Sequence, residues 1–191
     1  TWTDNQGQVR RLIVNAICHV LRTGCALRPL GPGGLAWRYL PKDFPPWQTV
    51  YHHHYRWRRR GHWEEVHLTL RRHARAAAGR DPEPSGAFID SQSVKTTEQG
   101  GPPGYDGHKK LSGRKRHVLV DTTGLLLKGV VHPADIHDRK GGELVLADIR
   151  QQLPRLEHVW TDQGYTGALR RWVEQEQGIK LEVVYPWWQQ V

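Results

Sequence analysis

The spacing of apolar residues changes character once along this chain, and that change limits the fold to a helical part followed by a mixed α/β part. Before Gly79, apolar side chains recur every three or four positions. Val9, Leu12, Ile13, Ala16, Ile17, Val20 and Leu21 form one such stripe, ended near Gly24. Pro45-Pro46 opens a second helix running to about Arg60, with Trp47, Val50, Tyr51, His54 and Trp57 on one side. A third covers His62–Ala78, with Trp63, Val66, Leu70, Ala74 and Ala77 inward. Beyond Gly86, short apolar runs take over: Ala87–Asp90, Arg116–Val120, Leu125–His132, His158–Asp162 and Lys180–Val184 read as strands, with helices over Asp138–Leu153 and Thr166–Gln177.

Two of those runs end on an aspartate, Asp90 and Asp162. Buried neighbouring strands would hold both carboxylates on one edge of a sheet, where hard oxygen ligands can share Mg²⁺ or Mn²⁺. The 72 residues between them exceed any local motif, so only sheet topology can bring them together. A turn or capping role is the commoner use of a single aspartate at a strand end. Three early strands and then alternating helix and strand is the order of a ribonuclease-H-like α/β domain. The Pro- and Gly-rich segment around 81–86 reads as a linker. The expected division is therefore a small helical, helix-turn-helix-like basic region over 1–80, the linker, and a ribonuclease-H-like mixed-sheet domain over 87–191.

Charge supplies a partner. Of the net charge of +9, residues 1–89 carry +8 and residues 90–191 carry +1. A basic module joined to a nearly neutral one fits a protein that separates nucleic-acid binding from chemistry. The densest cluster, Arg56, Arg58, Arg59 and Arg60 beside Tyr55 and Trp57, is suited to phosphate oxygens, because guanidinium forks match them in geometry. His52-His53-His54 cannot chelate one metal from a helix, since consecutive side chains point in three directions, and reads as surface and packing. Cys18 and Cys25 read as reduced thiols. No apolar run reaches the ~18–20 residues of a membrane span, and Thr1-Trp2-Thr3-Asp4 lacks the parts of a signal peptide, so a cytoplasmic, nucleoid-associated location is expected.

Several blocks in order resemble the DDE transposases of small bacterial insertion sequences. They are Asp90-Ser91-Gln92-Ser93-Val94-Lys95, Gly104-Tyr105-Asp106-Gly107-His108-Lys109-Lys110, Gly113-Arg114-Lys115-Arg116-His117, His132-Pro133-Ala134-Asp135-Ile136-His137-Asp138 and Asp162-Gln163-Gly164-Tyr165. Upstream, Arg22-Thr23-Gly24-Cys25, the run Trp37–Trp47 and Tyr55-Arg56-Trp57 resemble the DNA-associated N-terminal region of the same family. The resemblance implies that Asp90 and Asp162 are the first two catalytic, metal-binding carboxylates. It also implies that Lys109, Lys110, Arg114, Lys115 and Arg116 form a basic loop and strand start that holds the DNA backbone. The implied substrates are the terminal inverted repeats and target DNA, both double-stranded, and two-ended chemistry implies a homodimer. Asp138 also suits the N-cap of the following helix. Relatives carry a third acid, a glutamate, in an arginine-rich helix after the last strand. Nothing in Tyr185–Val191 matches it, Glu174, Glu176 and Glu182 fall too early, and Leu27–Ala36 reads as an insertion. A C-terminally truncated copy with weak metal occupancy and little strand transfer is the expectation. Two alternatives stay open: a non-catalytic DNA-binding remnant that inhibits transposition, and a metal-dependent nuclease using only water.

Overall fold

The computed structural model describes residues 2–23, 35–96 and 103–185. Packing divides the chain into two compact units, Thr1–Thr69 and Leu70–Val191. The first holds helices α1 (Trp2–Thr23), α2 (Leu35–Arg38), α3 (Trp47–Arg59) and the start of α4 (His62–Ala77). The Pro46 backbone, at φ −48°, precedes α3, as a residue with no N–H to leave unpaired should. Ile13, Ala16, Ile17 and Val20 of α1 are buried with Trp37 and Val50, and Trp47, Tyr51, Trp57 and Trp63 pack around them. Each large side chain so buried contributes roughly 1.5–3 kcal/mol of transfer free energy. The buried stripe of α1 is narrower than its spacing implied, since Val9, Leu12 and Leu21 are exposed. His53 packs on Trp57, and His54 on Trp37 and Trp63, so two of the three consecutive histidines pack against the aromatic residues of this unit. Most of the segment Leu27–Ala36, read as an insertion, lies outside the described residues.

The face of α4 differs from expectation. Val66 and Leu70, expected inward, are 47% and 64% exposed, and Ala74 and Ala77 are exposed as well. Arg71 and Arg75 are buried instead. The physical reason lies in the carboxylates that meet them. Arg75 Nη1 pairs with Asp121 Oδ2 and its Nε donates to the Asp81 carbonyl at 2.7 Å, while Arg71 pairs with Glu83 at 3.4 Å. These partners also show why the unit boundary falls inside α4 and not in the 81–86 segment read as a linker. Asp81 and Glu83 are tied to α4, and the Ser85 carbonyl accepts from Glu157 and His158.

The second unit is a six-stranded mixed sheet with helices. Its strands are β1 (Gly86–Lys95), β2 (Gly104–Asp106), β3 (Leu111–Asp121), β4 (Leu126–Pro133), β5 (His158–Thr161) and β6 (Lys180–Val183). The hydrogen-bonded order is β2-β3-β1-β5-β6, with β4 also paired to β3. β1, β3 and β4 run as an antiparallel meander, and β5 and β6 lie parallel to β1. The β3–β4 turn is held by Asp121, whose Oδ1 accepts from the Thr123 and Leu125 amides at 2.8 and 2.9 Å. Along β1 and β3 the odd-numbered residues from Ala87 to Ile89 and from Gly113 to Asp121 are buried, as the two-residue period of a strand requires. That face packs on α5 (Asp138–Leu146), α6 (Ile149–Gln152) and α7 (Ala168–Trp172), burying Leu119, Val145, Leu146, Ile149, Val159, Leu169 and Leu181. The segment expected as one helix over 138–153 is broken at Asp148, which adopts a left-handed conformation at φ 54°. Likewise α7 passes into one π-helical turn at Val173–Gln177, stopped by Gly178 at φ 61°. This arrangement of helices on a mixed sheet is compatible with the core of a ribonuclease-H-like domain.

Candidate active site

Register alone explains how Asp90 and Asp162 meet. β1 and β5 are parallel neighbours with Gly86 beside His158 and Phe88 beside Trp160. Two residues further along stand Asp90, still within β1 and on the same outward face as Phe88, and Asp162, the first residue after β5 ends at Thr161. Parallel strands lie about 4.8 Å apart, so two steps past a paired position the chains remain close. Both aspartates are exposed, and both line one cleft of about 690 Å³, with Phe88, Ile89, Trp160, Thr161, Gln163, Val184 and Tyr185. Its apolar wall is a stack in which Phe88 lies 5.1 Å from Trp160, and Trp160 lies 4.2 Å from His158.

The carboxylates are held differently. Asp90 Oδ1 accepts from the Ser91 amide at 2.6 Å. Asp162 Oδ1 accepts from the Gly164 amide at 2.9 Å and so caps the 3₁₀ turn Gln163–Tyr165. The ordinary turn role of a strand-end aspartate is thus present at Asp162, and it engages one oxygen.

Beneath the pair lies a polar layer. Tyr165 is fully buried, and its hydroxyl meets His117 Nδ1 at 2.7 Å. Burial pushes the Tyr165 phenol well up, and the charges of Asp138, Asp162 and Asp90 push the same way. His117 is pushed down to about 4, first by burial and then by His132, which stacks on it at 4.9 Å. The imidazole is therefore neutral near pH 7. Asp138 is the first residue of α5, and its N-cap is His137, which accepts from the Arg139 amide. The capping role expected of Asp138 is thus taken by its neighbour. Asp138 instead accepts from Ser91 Oγ at 3.1 Å and pairs with Lys115 Nζ at 3.0 Å. A Cβ placed on Gly164 would lie 3.0 Å from Asp162 Oδ1 and 3.2 Å from Asp138 Oδ2, so these two carboxylates approach each other at the Tyr165 turn.

Lys115 was expected among the DNA-facing cations, and the structure turns it inward. It is 5% exposed, pairs with Asp138 and with Asp106 at 3.5 Å, and donates to the Ile136 carbonyl at 3.1 Å. Strand parity is the reason: Lys115 shares the buried face with His117 and Leu119. Although burial opposes ionisation, hydrogen bonds from Ser93 Oγ and the Lys109 and His108 amides, with the Lys115 charge, hold Asp106 down at about 2. Arg114 and Arg116 take the opposite parity, opposite Val94 and Gln92 of β1 on the face that bears Asp90. Arg116 Nε donates to Gln92 Oε1 at 2.9 Å. Lys109 and Lys110 are exposed on the turn between β2 and β3, where Lys110 sits at φ 49°. Arg56, Arg58, Arg59 and Arg60 are exposed at the end of α3, and Arg59 Nη1 donates to Tyr55 Oη at 3.2 Å. The Lys115–Asp138–Ser91 and His117–Tyr165 contacts escape sequence reasoning because each joins residues far apart in the chain. The visible signal was the parity of Lys115 and His117 with the apolar Leu119.

Two neighbouring carboxylates are hard-oxygen donors of the kind Mg²⁺ and Mn²⁺ prefer. Among the described residues, no cluster of three His, Cys, Asp or Glu side chains forms a complete metal cage.

A mixed sheet with one carboxylate within β1 and another just past the end of its parallel neighbour β5 is compatible with an incomplete ribonuclease-H-like domain. The sequence model of the transposase DDE domain matches residues 81–185, and that described as "Putative transposase of IS4/5 family" matches residues 3–67. The chain belongs to the DDE transposase family of insertion sequences. Transposases of this family are in general dependent on divalent metal ions. No curated protein matches the chain. Among the described residues, no helix is long and apolar enough to cross a membrane.

Proposed function

We propose that this chain binds the ends of an insertion sequence and uses Asp90 and Asp162 to cleave DNA and transfer its strands. The observation that carries the reading is the shared register of β1 and β5, which sets the two aspartates side by side on one cleft. Asp90 and the free oxygen of Asp162 would hold a divalent ion. Such an ion supplies a lowered pKa for a bound water or 3′-hydroxyl and neutralises charge on the leaving oxygen. The chain's own part is to fix the carboxylates. Ser91 and Gly164 amides orient them from below, and Tyr165 locks the turn that carries Asp162. Arg114 and Arg116, on the same sheet face as Asp90, orient the scissile backbone by charge-assisted contacts, with Lys109 and Lys110 beside them. Lys115, spent on Asp106 and Asp138, has no such role.

The helical region over 1–80 acts as a helix-turn-helix-like binder of the terminal inverted repeats, with Arg56, Arg58, Arg59 and Arg60 on the phosphates. Two ends require two active sites, so the working species is a homodimer on the nucleoid. Asp90→Asn and Asp162→Asn test the assignment in cleavage and gel-shift assays on element-end duplexes. Each abolishes cleavage in Mg²⁺ or Mn²⁺ and leaves duplex affinity within a factor of two or so; cleavage that survives either substitution refutes the site. A second reading, DNA binding without chemistry, is favoured by one observation: only two carboxylates among the described residues face this cleft. It predicts wild-type binding with no cleavage in either metal.

A further inference from the structure

In the first unit, Arg10 of α1, His53, Arg56 and Trp57 of α3, and Arg60 and His62 at the α3–α4 turn surround a cavity of about 350 Å³. The four positions 53, 56, 57 and 60 fall on one helical face, and α1 closes the cavity with a third guanidinium. Among the described residues, no carboxylate pairs with Arg10, Arg56 or Arg60, while His62 Nδ1 lies 3.2 Å from Glu65 Oε2. Like charges gathered around a cavity repel one another unless an anion lies between them. His53 adds an independent sign. Its Nδ1 is buried with no hydrogen-bond partner, although its ring is fixed edge-on against Trp57 at 5.4 Å. Burial, then Arg56, His52 and Arg10, hold the His53 imidazole below its ordinary pKa, as a site of positive potential would. A buried polar atom without a partner is unfavourable, and a bound acceptor would relieve that cost.

We propose that the cavity between Arg10, His53, Arg56, Arg60 and His62 seats one tetrahedral oxyanion, supplied by a backbone phosphate of duplex DNA. The guanidinium forks hold two of its oxygens, and a ring N–H of His53 donates to a third. The source named here rests on the DNA-binding reading above; the oxyanion site itself does not. It adds Arg10, from a different helix, to the arginine cluster, and it fixes the register of one strand against the α1–α3 pair.

The test uses the full chain and a fluorescent duplex, with anisotropy read over a series of KCl concentrations. Arg10→Gln flattens the slope of log affinity against log salt by about one and weakens binding several-fold at low salt. Arg11→Gln, an exposed neighbour outside the cavity, leaves the slope unchanged. Equal slopes for wild type and Arg10→Gln, or equal losses for both variants, overturn DNA as the source of the oxyanion. In parallel, inorganic phosphate is titrated into the wild-type chain without DNA while the His53 ring resonances are followed. Saturable shifts of those resonances that vanish in Arg10→Gln support the cavity even if no duplex binds, in which case the DNA source alone fails. No shift of His53 together with an unchanged slope refutes the proposal whatever the fate of catalysis.

Discussion

Replacing Lys115 by Met retains most of the stem's volume and removes the cation that, among the described residues, pairs with both Asp106 and Asp138. The ammonium stands 3.5 Å from one carboxylate and 3.0 Å from the other. At an effective dielectric of about 20, those separations correspond to attractions of roughly 5 kcal/mol each. Desolvating the ammonium, which is 95% shielded from water, offsets several kcal/mol of that sum. What remains after substitution is two carboxylates facing each other, Asp106 buried and Asp138 half-buried. Breaking a buried pair in this way costs about 3–5 kcal/mol, measured as the loss of unfolding free energy in urea at pH 7. The pH dependence has a definite sign. In the wild type both carboxyls titrate below their ordinary value, so the stability they contribute is complete above pH 3.8 and lost only as pH falls through the folded values, about 2 for Asp106. Without Lys115, burial is less opposed and both values rise, so protonation relieves the variant at a higher pH than in the wild type. The deficit therefore shrinks between pH 7 and pH 4. A loss below about 1 kcal/mol, or one that stays constant across that range, would refute the claim that Lys115 acts as a buried counter-ion.

Gly141→Ala would set a Cβ 2.1 Å from His117 Nε2, against a ring held by His132 and Tyr165, whereas Gly107→Ala meets nothing within 4 Å. Thermal unfolding is expected to show a loss of about 2–3 kcal/mol or failure to fold for the first and near neutrality for the second. The His117 imidazole, followed by NMR, stays neutral down to about pH 4; a midpoint near 6.5 would mean that the layer under the aspartates is open to water. Because its folded pKa is lowered, neutral His117 contributes stability that is complete above its unfolded pKa and is lost as pH falls toward 4.

Much of this architecture can be read from residue order, and the failures have physical causes. The apolar runs before Asp90 and Asp162 announce buried strands, and their equal spacing is what lets a parallel register bring the acids together. The sequence-based reading of α4 reversed its faces because hydropathy ranks Leu70 above Arg75. Only the folded hairpin, presenting Asp121, makes burial of that guanidinium favourable. Lys115 sat in a basic run, Arg114-Lys115-Arg116, whose net charge suggests a DNA contact; the two-residue strand period splits the run across both faces. Asp138 was displaced from the expected cap by a single position, since His137 has the extended backbone that a cap requires. The Tyr165–His117 contact joins residues 48 apart and leaves no local trace.

The claim at the centre is that Asp90 and Asp162 share one ion. Mn²⁺ binding to the full chain, measured by electron paramagnetic resonance for the wild type, Asp90→Asn, Asp162→Asn and the double variant, tests it without DNA. Shared ligation predicts that each single substitution weakens binding about as much as both together, a coupling of 0.5–3 kcal/mol or so. Losses that add, or affinity untouched by either substitution, would contradict it.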